Sequence, residues 1–236
     1  MQQLALAMRL RERATFDAFV AGANDSAVAQ LRRIARDPRA TVAWLWGASG
    51  VGKSHLLQAC CAEASTHQRR ALYLPLSQLL SLGTEALEAW QGADLLALDE
   101  LDRIIGQRDW ERALFALYRD AEERGAAVIA SAEQPPQELP FALADLRSRF
   151  AAAWLLPLQA LDEAGQREAL RRRAQARGLE LPAATARFLQ RRFRRELPTL
   201  YTLLDTLDEA ALQAQRRLTV PFIRQVLAQE LAAREE

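Results

Sequence analysis

The stretch "WLWGASGVGKSHLL" contains Gly47, Ala48, Ser49, Gly50, Val51, Gly52, Lys53 and Ser54, a G-x-x-x-x-G-K-S spacing set between an apolar run and a helix-forming one. Those residue types at that spacing make a phosphate cradle. Glycines let the backbone turn so that successive N–H groups face inward, and a helix starting at Lys53 would aim its positive end at the same anion. In such a cradle the Lys53 ammonium reaches the β- and γ-phosphates of a nucleotide, and the Ser54 hydroxyl binds Mg2+. His55 follows at once and is counted with the loop. Lys53 is the single lysine among 31 basic residues, the rest being arginine. A planar guanidinium is bulkier than an ammonium, so this is where a preference for arginine would have to give way.

A second group of chemically suggestive residues lies in "LLALDELD". Four apolar residues run into Asp99, which places a carboxylate at the carboxyl end of a buried strand. Beside the loop it would hold Mg2+, directly or through water. Glu100, next in line, is suited to polarise an attacking water as a general base. "AAVIAS" ends in Ser131, a polar residue at a strand tip that could touch the γ-phosphate or the attacking water.

These residues need elements to position them. Short apolar runs at 41–46, 71–76, 94–99, 126–131 and 151–157 read as strands, four of them almost continuously apolar, as suits parallel strands covered on both faces. Helical stretches lie between them, at 53–66, 76–90, 109–124 and 142–150. The alternation predicts an α/β domain with a five-stranded, mainly parallel sheet. Beyond Leu158 the strand pattern stops. Residues 162–177, 182–194, 196–217 and 220–234 read as amphipathic helices separated by Gly178 and by prolines at 182, 198 and 221, which predicts a small all-helical lid.

Composition bounds the rest. The 236 residues, half of them hydrophobic, are ample for a sizeable core. A formal charge of +1 exerts no global pull toward nucleic acid or an anionic membrane. Cys60 and Cys61 are adjacent, project about 100° apart on a helix, and read as small buried thiols in a reducing compartment rather than a disulfide. No apolar run approaches the ~20 residues of a membrane span, and the expectation is a cytoplasmic protein without membrane partners.

Taken together, the phosphate loop, the Asp99–Glu100 pair, the polar strand tip and the helical tail resemble AAA+ ATPases of the DnaA group. "TFDAFVAGANDSAVAQL" is similar to the segment that leads past the adenine pocket in those proteins, and "SAEQPPQEL" to the paired-proline segment after their sensor strand. The resemblance implies that Arg149 of "DLRSRF" is an arginine finger reaching a neighbouring subunit's nucleotide. It also implies that Arg195 of "RRELPTL" is the lid's sensor arginine, contacting nucleotide bound by its own chain. "RRLTVPFIRQVL" is similar to the end of Hda-type regulators, the DnaA-related group that inactivates the initiator. That likeness spans essentially the whole chain.

The leader "QLALAM" fits the form of sliding-clamp-binding peptides. In extended backbone alternate residues share a side, so Leu4, Leu6 and Met8 would enter pockets on the clamp with Gln3 hydrogen-bonding beside them. Three parts are expected: a leader at 1–10, an AAA+ nucleotide-binding domain at 11–158 and a helical lid at 159–236. With no stretch left for a helix-turn-helix domain, contact with DNA would be indirect, through the β clamp. The implied activity is to promote hydrolysis of ATP on the DnaA initiator, with ADP or ATP and Mg2+ as cofactors. A homodimer and intrinsic ATP hydrolysis are left open, because the loop here is complete and Glu100 follows Asp99 where Hda-type proteins lack both features. The residues after Phe150 also depart from the DnaA pattern, which has a glycine there. The alternative is a helicase loader or remodelling ATPase of the DnaC or transposition-helper type.

Overall fold

The computed structural model describes residues 14–37, 39–88, 92–176, 178–192, 199–201, 203–204, 206–207, 210 and 219–232, with backbone only at 88, 192 and 227–232. Five strands form one parallel sheet: β1 (Val42–Trp46), β2 (Ala71–Pro75), β3 (Leu95–Asp99), β4 (Ala127–Ala132) and β5 (Trp154–Pro157), in the spatial order β2-β3-β4-β1-β5. The register is continuous across the middle of the sheet, with Leu96 opposite Val128 and Val42 opposite the same residue from the other side.

The inner strands β1, β3 and β4 alternate between two cores. Ala43, Leu45, Leu95, Ala97, Ala127 and Ile129 face one side, where they meet helices α1 (Asp25–Arg36) and α2 (Lys53–Thr66). Trp44, Leu96, Leu98, Val128 and Ala130 face the other. There they meet Leu76 and Leu79 of the short α3 (Leu76–Leu79), Leu87 of α4 (Glu85–Glu88), α5 (Arg108–Glu123) and α6 (Ala144–Ala151). A strand sandwiched between helices has no wet face, so both sets of side chains must be apolar. α2 is buried on nearly every side, and its small residues Ala59, Cys60, Cys61 and Ala64 let it lie close between sheet and α1. On the opposite side the stripe Trp110, Leu114, Leu117, Tyr118 and Ala121 follows helical periodicity along α5. Its Tyr118 and the fully buried Trp44 both meet the Phe150 ring edge-on, at 5.7 and 5.1 Å.

One expected helix breaks. Of the expected 76–90, the described residues 76–88 form α3, a 3-10 turn at Leu80–Leu82, then Gly83 at φ +82° and α4. The apolar residues that suggested continuity do not face a core: Leu80 and Leu82 are 37% and 50% exposed. A left-handed glycine ends the turn, as expected of a residue with no Cβ.

Contacts divide the chain into one compact unit up to Ala160 and a second from Leu161 onward. In the second, α7 (Glu163–Ala176), α8 (Ala183–Arg192) and α9 (Val220–Ala232) surround their own apolar cluster, centred on Leu170, Leu189, Leu204, Leu207 and Ile223. Much of the helix expected at 196–217 lies outside the described residues. Among the described residues no helix is long and apolar enough to cross a membrane.

Cys60 and Cys61 are both free and buried, and burial drives both thiols upward, Cys61 to about 12. Thiolate, not thiol, is the nucleophile. The native protein should therefore react with a disulfide reagent at pH 8 only on the timescale of unfolding, both thiols appearing together in denaturant. Fast reaction of either in the native state would contradict this packing.

Candidate functional site at the carboxyl edge of the sheet

The chain leaves β1 through a loop whose glycines adopt angles other residues avoid: φ +152° at Gly47, +78° at Gly50 and +103° at Gly52. Two of them also lack room for a side chain. A Cβ on Gly47 would lie 2.5 Å from the Leu158 carbonyl oxygen, and one on Gly52 would lie 2.6 Å from Cε2 of Phe19. Val51 anchors the loop in the core, whereas Ala48, Ser49 and Ser54 are exposed. Lys53 opens α2 and donates from Nζ to the carbonyl oxygens of Gly47 at 2.6 Å and Ala48 at 3.0 Å. Burial lowers its pKa, against the pull of Glu133, Asp102, Asp99 and Glu100. The ammonium is thus partly stripped of water and bonded by neutral carbonyls that do not offset its charge, a state that favours an incoming anion. His55 turns the other way, donating from Nε2 to the Thr15 carbonyl at 2.9 Å with its ring 5.5 Å from Phe19.

Asp99 ends β3 and is 2% exposed. Both its oxygens accept hydroxyl protons at 2.5 Å: Oδ2 from Tyr73 on β2, Oδ1 from Ser131 on β4. The Ser131 hydroxyl oxygen in turn accepts from the Glu100 backbone N–H at 3.1 Å. Burial, reinforced by the Asp99 charge, pushes the Tyr73 phenol far above its usual range and keeps it a donor. Glu100 sits at φ +58°, a left-handed conformation few non-glycine residues adopt, and its carboxylate accepts from the Ser77 hydroxyl of α3. Lys53, Asp99, Glu100 and Ser131 are therefore brought to one edge, where open parallel sheets bind ligands. Ser131 is the penultimate residue of β4 rather than its tip. The sequence carries little sign of Tyr73 and Ser77: the tyrosine in "ALYLPL" is indistinguishable there from another apolar strand residue.

Arg149 lies near the end of α6, and its bonds are to α5: Nη1 donates to both oxygens of Glu122, at 2.5 and 2.7 Å. Arg195 and the residues Gln3, Leu4, Leu6 and Met8 lie outside the described residues. At the other end of α6 is a group no spacing rule pointed to. Glu111 of α5 is fully buried, and its carboxylate accepts from the backbone N–H groups of Gly106, Ala142 and Leu143 at 2.7, 2.9 and 2.7 Å. It ties the loop after the acidic pair to the start of α6. In sequence it looks like any first-turn acid, since its three partners are backbone groups brought in by the fold.

Replacing Glu111 with alanine would take the acceptor from three part-buried backbone N–H groups, each bond worth roughly 1 kcal/mol or more. Urea unfolding should show a loss of about 3 kcal/mol or more, with unchanged m-value; a loss below about 1 kcal/mol would mean those N–H groups find other partners.

The geometry can be set beside known proteins. The family model for the bacterial DnaA ATPase domain matches residues 10–156, and that for the lid domain of Hda matches residues 158–227. Domain III of the replication initiation protein DnaA from Thermotoga maritima superposes with a TM-score of 0.81 at 22% identity, covering 94% of this chain and 98% of that one. AMPPCP-bound DnaA from Aquifex aeolicus gives 0.68 at 19% identity, covering 96% and 71%. The Holliday junction branch migration motor RuvB of Thermotoga maritima gives 0.59 at 18% identity, covering 86% and 68%. At these identities the structures speak for the fold: an AAA+ α/β domain with a helical lid. With the DnaA ATPase model spanning well over half its length and an Hda-type lid following directly, the chain belongs to the DnaA-related AAA+ proteins.

Proposed function

We propose that this protein is a nucleotide-binding regulator that promotes hydrolysis of ATP held by a DnaA initiator. The observation that carries the reading is the pairing of a DnaA-type ATPase domain with a lid of the Hda type in one chain. In this reading residues 1–10 are the leader, 11–158 the nucleotide-binding domain and 159–236 the lid. The leader's Gln3, Leu4, Leu6 and Met8 dock on the β sliding clamp, which brings the protein to DNA.

The loop from Gly47 to Ser54 fits a polyphosphate, because its ammonium now rests on carbonyls that an anion would replace at a gain. ADP or ATP would be held there by the loop amides and Lys53, with Ser131 beside the terminal phosphate and Arg195 approaching from the lid. Ser54 is exposed at the first turn of α2, and each Asp99 oxygen keeps a lone pair beyond the hydroxyl it accepts. Both fit a hydrated Mg2+, which when bound would offset charge on the phosphates. Arg149 acts elsewhere: presented to the initiator's nucleotide, its guanidinium would stabilise charge developing at the γ-phosphate, an effect worth about 10³–10⁵ in rate where such fingers operate. A second reading, ATP hydrolysis by the chain itself, is favoured by its complete loop and by Glu100 beside it.

The test is ATP hydrolysis by DnaA with clamp-loaded DNA, with and without this protein. Stimulation should appear, should vanish in Arg149→Ala with nucleotide affinity of the variant unchanged, and should weaken in Lys53→Ala together with its ADP affinity. Stimulation unaffected by Arg149→Ala would remove the finger. Deleting residues 1–8 should abolish retention on immobilised clamp while leaving the unfolding midpoint in place; undiminished retention would dismiss the leader's role.

A further inference from the structure

One face of α5 grips α6 at both ends. Residues 111, 115, 118 and 122 fall on a single stripe of the helix. Glu111 takes the backbone at the start of α6, as described above. Phe115, Tyr118 and Glu122 take the Arg149 side chain near its end. The guanidinium carbon lies 5.4 Å from the centre of the Phe115 ring and 5.3 Å from that of Tyr118, and Nη1 is bonded to both Glu122 oxygens. Tyr118 is itself fixed edge-on against Phe150 at 5.7 Å.

We infer that Glu122, with the Phe115 and Tyr118 rings, is a positioning residue that holds Arg149 in the one rotamer from which it can reach a phosphate outside its own chain; this rests on the finger reading of Arg149 given above. The ion pair is a poor candidate for stability. Its side chains are 31% and 50% exposed, and pairs so wet contribute little to folding. What the contact does achieve is order. A free arginine samples many rotamers, and freezing it in the transition state costs rate. Here two rings lie against the guanidinium and a carboxylate bonds one of its nitrogens. Glu122 engages one nitrogen only, so the guanidinium is oriented without being enclosed. An incoming polyphosphate, carrying more charge than a single carboxylate, can then share or displace that contact.

Glu122→Gln keeps the size and removes the charge. Side-chain 15N relaxation of Arg149, with the full-length protein, should show loss of order in Glu122→Gln relative to the parent. In the DnaA hydrolysis assay the maximal stimulated rate should fall about fivefold, with the half-saturating concentration of this protein changed less than twofold. Unchanged Arg149 order or an unchanged maximal rate would each overturn the inference. If Arg149→Ala itself leaves stimulation intact, the finger reading falls, and with it the catalytic consequence of the positioning, while the relaxation data still decide whether Glu122 orders the arginine.

Discussion

A carboxylate buried almost completely at the end of a strand is costly unless its oxygens find hydrogen-bond donors in the protein. Asp99 meets that demand with two hydroxyls, one from each neighbouring strand: Tyr73 on β2 and Ser131 on β4. The consequence reaches beyond the residue. Three strands are pinned to one another at their carboxyl ends by side-chain bonds added to the backbone ladder. Ser131 passes the constraint on by accepting the Glu100 N–H, which helps hold Glu100 in its left-handed conformation. The edge of the sheet facing the glycine loop is therefore rigid before any ligand arrives. A site that is already ordered loses less freedom on binding.

The glycine loop supplies the complementary half. Its first glycine is pressed against the Leu158 carbonyl and its last against the Phe19 ring, so both the chain end of the sheet and the leading segment wall it in. Among the described residues Lys53, partly desolvated, bonds only to carbonyls, near four carboxylates that keep a positive charge welcome. A cation bonded to neutral carbonyls, with acids near but not paired to it, can exchange those carbonyls for an anion. The same logic recurs at Arg149, whose exposed pair with Glu122 is geometrically definite and energetically modest. Binding groups that must let go of one partner to take another are best held this way.

α5 links these regions. Its first turns receive the loop from the acidic pair through Glu111, and its later turns carry the aromatic and acidic residues around Arg149. Glu111 is deeply buried and strongly bonded, Glu122 half-exposed and singly engaged. One therefore secures the backbone of α6, and the other tunes a side chain upon it.

Much of this architecture could be read without coordinates. Parallel strands covered on both faces have to be apolar throughout, so the runs around Leu45, Leu96 and Ile129 announced themselves, and the spacing of Gly47, Gly52 and Lys53 located the turn between β1 and α2. The break at Gly83 was hidden because Leu80 and Leu82 continue an apolar pattern that the fold leaves facing water. Tyr73, Ser77, Glu111 and Glu122 were hidden for a different reason. Each owes its role to a partner 23 to 32 residues away, and a bond of that kind leaves no period in the chain. Local geometry and the alternation of water-avoiding residues are written in the order of the amino acids. Which polar groups meet, and so which are charged, ordered or restrained, is decided only when the sheet and its helices close around them.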